Sequence, residues 1–253
     1  MSKAGAEKNS KPLFSVITVC RNASEALKTT MASVVGQDFP DKEYIIVDGA
    51  STDGSKGIIA AAGNGISRWI SEPDRGIYDA MNKGVKMASG DWVIFMNAGD
   101  TFASSDTLSR VAEAMADIDP KTEVIYGDVI KKVGEKGEII KKAEPMHNSH
   151  RMIFCHQSSF AGRESLLRHP FDISHKFSAD FKFFKTLIRE GAGSLKLDFP
   201  IAVFDTGGIS NSRRSDGLAD NMRVIRETDG IIRGLPHLLH LFPSWLICRL
   251  RGK

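Results

Sequence analysis

Three acidic residues recur at the ends of short apolar runs in this chain. Asp48 follows Tyr44-Ile45-Ile46-Val47, Asp100 follows the run opened by Trp92-Val93-Ile94-Phe95-Met96, and Asp128 sits in Val124 to Val129. An Asp in such a place can simply form a turn or cap a helix. Several on one edge of a parallel sheet describe a site instead, because open α/β sheets bind ligands beyond the C-terminal ends of their strands. Asp100 is placed to hold a divalent cation on a phosphorylated ligand. Mg²⁺ or Mn²⁺ then needs only one or two protein carboxylates, since phosphates and water complete the shell. Asp48 is placed to bind the ribose or base of a nucleotide.

The elements that would position these groups alternate. Phe14 to Cys20 reads as a strand, and Ala23 to Gly36 as a helix with Ala26, Leu27, Thr30, Met31, Val34 and Val35 on one stripe. Asn22 with Glu25 three residues later has the spacing of a capping box. Tyr44 to Val47 is a second buried strand. Ser51 or Thr52 is the expected N-cap of a helix reaching about Ala62. A short strand at Ser67 to Ser71, a helix over Ile77 to Ala88 and the Trp92 strand follow, so strand and helix alternate four times in the first hundred residues. That is the pattern of a parallel, doubly wound sheet. The second half is less regular. It carries a strand at Val124 to Val129, a basic hairpin over Lys131 to Lys142, a helix over Phe177 to Arg189, strand character from Leu195 to Phe204 and a helix from Asp216 to Arg233.

Taken together, the segments from Phe14 to Phe102 resemble a family 2 glycosyltransferase with the GT-A fold. The resemblance rests on the first strand, the Gln37-Asp38-Phe39-Pro40 loop, Glu43 to Asp48, Ser51-Thr52-Asp53-Gly54, Asn82-Lys83-Gly84 and Ala88-Ser89-Gly90-Asp91, all in that family's order and spacing. It continues through His156-Gln157-Ser158-Ser159-Phe160, Ala179-Asp180-Phe181 and Gly207-Gly208-Ile209-Ser210, so that it covers about residues 13 to 230. These motifs are similar to those of a bacterial subgroup associated with polysaccharide assembly. The implied fold is α/β: a mostly parallel, Rossmann-like sheet flanked by helices, with a less regular acceptor-side half. The implied domain is residues 13–232, between a disordered leader (1–12) and a basic amphipathic tail (233–253).

The resemblance also implies roles. It implies that Asp48 contacts uracil or ribose, that Thr18, Val19, Arg21 and Asn22 line the nucleotide pocket, and that Asp74, Gly76 and Asp79 border it together with Asn82, Asn97 and Ala98. Asp100 would carry the metal, Mg²⁺ or Mn²⁺. The family's metal motif reads Asp-x-Asp or Asp-Asp, whereas here Asn97-Ala98-Gly99-Asp100 keeps only the last carboxylate. The paired Asp after the second strand is likewise reduced to Asp48-Gly49. Asp180 matches the family's catalytic base, which an acceptor hydroxyl needs because it is a poor nucleophile; on residue chemistry alone it equally suits the helix dipole. His156 and Gln157 fall on the acceptor side or in a buried hydrogen-bonded turn. Arg213 and Arg214 suit a diphosphate, since guanidinium groups match phosphate oxygens, or form a solvated charge pair.

Composition narrows the classes. The chain has 253 residues, 42% hydrophobic and 26% charged, with a formal charge of +3, too small to argue for a nucleic-acid partner. Three distant cysteines show no disulfide or zinc spacing, so a reducing compartment is expected. The polar N-terminal stretch has no apolar signal region, and a cytoplasmic location, peripheral at the inner face of the membrane, is expected. The tail combines leucines, Phe242 and Trp245 with Arg233, Arg249, Arg251 and Lys253, and no acid follows Asp229. Such a segment suits a membrane interface; packing on the domain or on a second copy is the other reading. Pro236 and Pro243 are expected to divide it into short pieces.

The expected activity is inverting transfer of a sugar from a nucleotide-diphosphate sugar, UDP-linked, to a hydroxyl of a glycan or lipid-linked oligosaccharide in cell-surface polysaccharide synthesis. A catalytically degenerate nucleotide-sugar-binding or scaffold protein is the alternative that Asn97 and Gly49 motivate. A nucleotidyltransferase would need a Gly-rich triphosphate loop that Cys20-Arg21-Asn22-Ala23 does not supply.

Overall fold

The structure, a computed structural model, describes residues 11–134, 137–205 and 213–251. The leader up to residue 10 and the Gly207-Gly208-Ile209-Ser210 motif lie outside the described residues. Four strands, β1 (Phe14–Cys20), β2 (Lys42–Asp48), β3 (Arg68–Ser71) and β4 (Trp92–Phe95), pair in parallel in the order β3-β2-β1-β4. The crossovers are α1 (Ser24–Val35), α2 (Ser55–Ala61) and α3 (Ile77–Met87). Every residue of β1 is buried, because helices cover both faces of the sheet. Alternate side chains feed two cores. Ile17, Val19, Ile45, Val47, Val93 and Phe95 meet Ala80, Met81 and Val85 of α3, while Phe14, Val16, Tyr44, Ile46 and Ile94 meet Leu27, Met31 and Val34 of α1.

Beyond β4 the sheet becomes mixed, which is the irregularity expected of the second half. The remaining elements in chain order are β5 (Thr101–Phe102), α4 (Thr107–Ala114), β6 (Thr122–Lys132), β7 (Glu138–Lys141), β8 (Ser159–Gly162), α5 (Arg163–Arg168), α6 (Ala179–Glu190), β9 (Gly193–Asp205) and α7 (Arg214–Leu250). Strand β8 runs antiparallel between β4 and β6, β9 is parallel to β6, and β7 forms the basic hairpin on β6. The result is an α/β fold with a parallel half and a mixed half.

Three local expectations are corrected. Asn22 does not close a capping box on α1. Its backbone takes φ 50, its Oδ1 accepts the Thr52 N–H at 2.8 Å, and Ala23 is the N-cap. Neither Ser51 nor Thr52 caps α2; Asp53 does that work for two helices. Its Oδ2 accepts the Ser24 N–H at 2.9 Å, and its Oδ1 accepts the Ser55 N–H at 3.1 Å and the Ser55 hydroxyl at 2.6 Å. These bonds, the Ser55 hydroxyl first, hold the Asp53 carboxyl at about 2. Finally, Pro236 and Pro243 do not break the tail. Both sit at exposed positions inside α7, where a carbonyl left without its helical donor has access to water. The one break is Gly230, at φ 71, a left-handed value that glycine tolerates.

Glu43 pins the turn that launches β4. Its Oε1 accepts the Ser15 hydroxyl at 2.6 Å, the Ser89 N–H at 2.5 Å, the Ser89 hydroxyl at 2.9 Å and the Gly90 N–H at 3.1 Å. Burial alone would raise this carboxyl, yet the bonds from Ser15, Ser89 and Gly90 outweigh it and hold it below its ordinary value. The balance is credible because burying one charge costs several kcal/mol, while each charge-assisted bond returns about 1.5–3 kcal/mol. Glycine is required at the same turn. A Cβ on Gly90 would stand 2.8 Å from the Ser15 nitrogen and 2.9 Å from the Phe14 carbonyl carbon, both backbone. Gly90→Ala is therefore expected to destabilise the fold by about 1–3 kcal/mol, read as a lower urea midpoint with unchanged slope. An unchanged midpoint would contradict this packing.

Candidate active site

Parallel pairing brings Cys20 opposite Asp48 and Ile17 opposite Phe95, so the loops after β1, β2 and β4 share one edge of the sheet. The first loop group gathers Arg21, Asn22, Gly49 and Asp74. A Cβ on Gly49 would lie 2.3 Å from Asp74 Oδ2 and 3.4 Å from Arg21 Cβ. The Asp74 carboxylate thus stands where a side chain at position 49 would be. The acid missing from the Asp48-Gly49 pair has its place filled from the loop before α3. Asp74 Oδ1 accepts the Gly76 N–H at 2.9 Å, and Gly76 takes φ 122, outside the reach of ordinary side chains.

Asp48 lies beneath this group rather than on it. It is fully buried, its Oδ2 accepts the Ser51 N–H at 3.0 Å and the Ser71 hydroxyl at 2.6 Å, and Cys20 Sγ lies 3.6 Å from its Oδ1. Burial pushes the Asp48 carboxyl up, but the bonds from Ser51 and Ser71 prevail and keep it below its ordinary value. Its neighbour Cys20 is pushed up to about 12, by burial first and then by the Asp48 charge. In this arrangement Arg21 and Asn22 are exposed and Asp74 half-buried, with Gly49 and Asp48 buried beneath them.

Four further sequence candidates are engaged elsewhere. Thr18 is buried and donates to Met96 O at 2.7 Å, tying β1 to the end of β4. Val19 is a core residue at 5% exposure. Asn82 is bonded both ways to the Phe171 backbone, Nδ2 to the carbonyl at 2.8 Å and Oδ1 to the N–H at 2.9 Å. Asp79 accepts the Arg75 N–H at 3.0 Å and pairs with the Arg75 guanidinium at 3.2 Å, which stiffens the 73–76 loop. Asp128 also drops out of the strand-end group, since it accepts the Ala143 N–H at 2.9 Å and pairs with Lys142 at 2.7 Å at the hairpin.

The turn after β4 is held by Thr30 of α1. Its hydroxyl accepts the Gly99 N–H at 2.9 Å and faces the Asp100 carbonyl at 2.8 Å, and Gly99 takes φ 104. Ala98 N–H reaches back to Val19 O at 3.4 Å. Asp100 is 5% exposed. Three residues earlier in the same turn, whose ends are joined by the Asp100 N–H to Asn97 O bond at 2.9 Å, Asn97 Oδ1 is buried with no hydrogen-bond partner among the described residues. A buried amide oxygen without a donor is costly, and it is, like a carboxylate, a hard oxygen suited to Mg²⁺ or Mn²⁺. The donor types in this turn, one carboxylate and one unpartnered amide oxygen, therefore fit a divalent cation.

The second half closes on this edge through one turn, His156–Ser158, which precedes β8. Cys155 at its start feels the Asp100 charge, and burial first, with that charge, pushes its thiol up to about 11. A thiol so raised is no nucleophile at neutral pH. Its Sγ lies 3.1 Å from Gln157 Oε1. His156, packed edge-on to Phe95, has Nδ1 3.4 Å from Asp180 Oδ2. Asp180 Oδ1 accepts the Tyr78 hydroxyl at 2.8 Å. Burial would raise the Asp180 carboxyl, but the His156 ring, by hydrogen bond and charge, and the Tyr78 hydroxyl hold it below its ordinary value. It keeps 19% of its side chain exposed, enough to meet a ligand. Tyr78 carries no signal in the sequence, because its partner is 102 positions away.

Arg213 stacks over the Phe177 ring at 5.2 Å and pairs with Asp216 at 2.6 Å, and Arg214 opens α7. A cluster of Asp172, His175 and Glu227 also has ligand-type geometry. Its centre is taken by an ammonium, with Lys182 Nζ 2.7 Å from Asp172 and 2.6 Å from Glu227.

Comparison with known proteins agrees with this architecture. The profile described as glycosyl transferase family 2 matches residues 15–187. A "PGL/p-HBAD biosynthesis glycosyltransferase" of Mycobacterium tuberculosis is 31% identical over 180 residues, 68% of either chain. The "putative teichuronic acid biosynthesis glycosyltransferase TuaG" of Bacillus subtilis is 36% identical over 110 residues, 42% of this chain and 43% of that one. Among solved structures, S. aureus TarS 1-349 in complex with UDP superposes with a TM-score of 0.62 at 17% identity, covering 94% of this chain and 72% of that one. A mannosyltransferase from Pyrobaculum calidifontis in complex with GDP-Man and Mn2+ gives 0.62 at 15%, covering 97% and 77%. With the profile spanning more than half of the chain and the fold shared with these transferases, the protein belongs to glycosyl transferase family 2 and is a glycosyltransferase of GT-A architecture.

Proposed function

We propose that this enzyme is an inverting glycosyltransferase that moves a sugar from a UDP-linked donor to a hydroxyl of a glycan or lipid-linked oligosaccharide in the assembly of a cell-surface polymer. One observation carries the reading. His156, in the turn before β8, stands 3.4 Å from the Asp180 carboxylate and packs edge-on against Phe95, the last residue of the strand that leads to Asp100. This arrangement supports a reading in which Asp100, as the metal carboxylate, and Asp180, as the base, serve one reaction centre. The relatives named for glycolipid and teichuronic acid synthesis, and the neighbours holding UDP or GDP-Man, support the donor and acceptor classes.

In this reading Arg21, Asn22 and Asp74 meet the nucleotide, with Asp74 standing in for the acid absent at Gly49. Asp100 and Asn97 Oδ1 would hold Mg²⁺ or Mn²⁺, whose charge offsets that gathering on the departing diphosphate; Arg213 and Arg214 would add to it. Asp180 takes the proton of the acceptor hydroxyl as its oxygen bonds to the anomeric carbon and the bond to the diphosphate breaks. Attack from the face opposite the diphosphate inverts the centre. Tyr78 is equipped for both states of the base: its hydroxyl donates to ionised Asp180, and Phe177 O at 3.1 Å offers a second acceptor once Asp180 holds the proton.

The tail reading becomes more specific. Helix α7 has an 18-residue window of mean hydropathy 1.2, only 11% of it buried. Ile232 is 89% exposed and Leu250 79%, with Leu239, Phe242 and Leu246 also exposed between them. Arginines at 233, 249 and 251 with no acid after Asp229 suit an anionic lipid surface. We assign this face to the membrane, which places the enzyme beside a lipid-linked acceptor.

Three outcomes test the proposal. In a thermal-shift panel of nucleotide diphosphates, UDP with Mn²⁺ is expected to stabilise the protein, and Asp100→Ala to lose the Mn²⁺-dependent part. Asp180→Asn should keep that binding while turnover falls by about 10²–10⁴-fold. No shift with any nucleotide would favour the scaffold alternative, and full turnover in Asp180→Asn would remove the base. The pH profile gives the second test. The Asp180 carboxyl lies below its ordinary value, so it is ionised across the neutral range and the acid limb of kcat/KM falls below the usual carboxylate pH. His156→Ala leaves burial less opposed and moves that limb upward; an unmoved limb contradicts the pairing. Third, Leu239→Glu with Phe242→Glu and Leu246→Glu, all exposed, should abolish flotation with anionic vesicles while leaving the melting temperature near wild type. Unchanged flotation retires the membrane assignment.

A further inference from the structure

Helix α6 presents Asp180 in its first turn, yet its N-cap residue, Ser178, makes no side-chain capping bond. The amides that lead into the helix are taken up by another element. Asp220 of α7 reaches across, and its Oδ2 accepts the Phe177 N–H at 3.0 Å and the Ser178 N–H at 3.2 Å. We propose that Asp220 is a positioning residue for Asp180, clasping the Phe177–Ser178 backbone so that the carboxylate two residues on stays against Tyr78 and His156. The proposal rests on the reading of Asp180 as the base.

Phe177 is held from three sides. Its N–H goes to Asp220, its carbonyl faces the Tyr78 hydroxyl at 3.1 Å, and its ring lies under the Arg213 guanidinium at 5.2 Å. The Tyr78 hydroxyl that meets this carbonyl also meets Asp180. A shift of the 177–178 backbone would therefore move the base, and one of its two partners, together.

Asp220 is itself braced. Its side chain is 9% exposed, and its Oδ1 is 2.8 Å from His175 Nδ1 and 3.2 Å from Arg223. The opposite nitrogen of that fully buried imidazole lies 3.0 Å from Glu227, which Lys182 joins to Asp172. This network gives the Asp172, His175 and Glu227 cluster a role without a metal: it locks the start of α7 onto the segment before α6. An apolar cluster also joins α6 to α7, with Val224, Ile225 and Leu241 meeting Phe181 and with Leu218 and Met222 packed against it. That cluster holds the two helices together, while the clasp on the 177–178 backbone is made by polar groups whose geometry is specific, and a displacement of about 1 Å at a reacting group can cost on the order of 10²-fold in rate.

The test reads the base directly. In the full chain, the ¹³C-carboxyl resonance of Asp180 is titrated in wild type, Asp220→Ala, Asp220→Leu and Asp220→Asn. Leucine keeps the packed volume without an acceptor, should alanine fail to fold, and asparagine keeps an oxygen for the two amides. Alanine and leucine are expected to raise the Asp180 midpoint by about one pH unit or more, and asparagine to stay near wild type. An unchanged midpoint in a folded alanine or leucine variant overturns the proposal. A purely structural role would lower the melting temperature without moving that midpoint. With UDP-glucose and Mn²⁺, kcat for donor hydrolysis should fall about 10–100-fold in the alanine variant with KM unchanged. Asp180→Asn in the same assay separates the claims. If it keeps full turnover the base reading fails while the titration still judges the clasp; if it is inactive and Asp220→Ala matches wild type in both readouts, the clasp alone fails.

Discussion

Parallel pairing of β1 with both β2 and β4 is the constraint on which this enzyme depends. It sends three chain segments out of one edge of the sheet with their ends in register, Cys20 beside Asp48 and the end of β4 one strand away. Since β1 is buried along its whole length, a slip of one residue would exchange its two sets of core side chains, Ile17 and Val19 for Val16 and Cys20. The cores therefore hold the register, and the register holds the loops. Glu43 adds a polar lock at the opposite end of the same strands, joining Ser15, Ser89 and Gly90.

Buried carboxylates recur as joints in this molecule. Glu43 fastens the start of β4, Asp48 the turn after β2, Asp220 the approach to α6, and Asp229 the point where α7 bends. Asp229 pairs with Lys185 at 2.8 Å, Arg189 at 3.1 Å and His237 at 3.2 Å just before Gly230. Each would be expensive alone, and each is offset by several donors. Such joints resist displacement because removing one partner leaves a charge uncompensated. That is a suitable way to hold a site made from segments far apart in the chain.

The departures from the family's acidic motifs have a physical explanation in part. Gly49 stands where the second acid of a pair would be, and the Asp74 carboxylate occupies that space. Asn97 replaces the first acid of the metal motif with a neutral oxygen, and that oxygen has no hydrogen-bond partner among the described residues. A carboxylate and an amide carry one negative charge between them instead of two. The diphosphate of a donor would then supply most of the charge that a cation needs, so that cation and donor would bind as a unit.

Much was legible along the chain because it depends on local pattern. The apolar runs specified buried strands, the 3.6-residue stripes specified α1 and α3, and the turn residues between them specified alternation, which leads to a parallel sheet. The order and spacing of motifs identified the family, and with it Asp100 and Asp180 as the groups to examine. Local chemistry misled where long-range partners intervened. Asn22 and Glu25 had capping spacing, but the Asn22 side chain found Thr52 thirty positions on. Pro236 and Pro243 looked like breaks, but α7 continues through both and bends at Gly230 instead. Only the tertiary structure decided that Asp48 lies under its pocket, that Asn82 ties down Phe171, that Tyr78 and His156 hold Asp180, and that Asp220 clasps the segment before it. The physical reason is the same in each case: a hydrogen bond is directional and short, so which groups meet depends on how distant segments pack, and no spacing along the sequence encodes that.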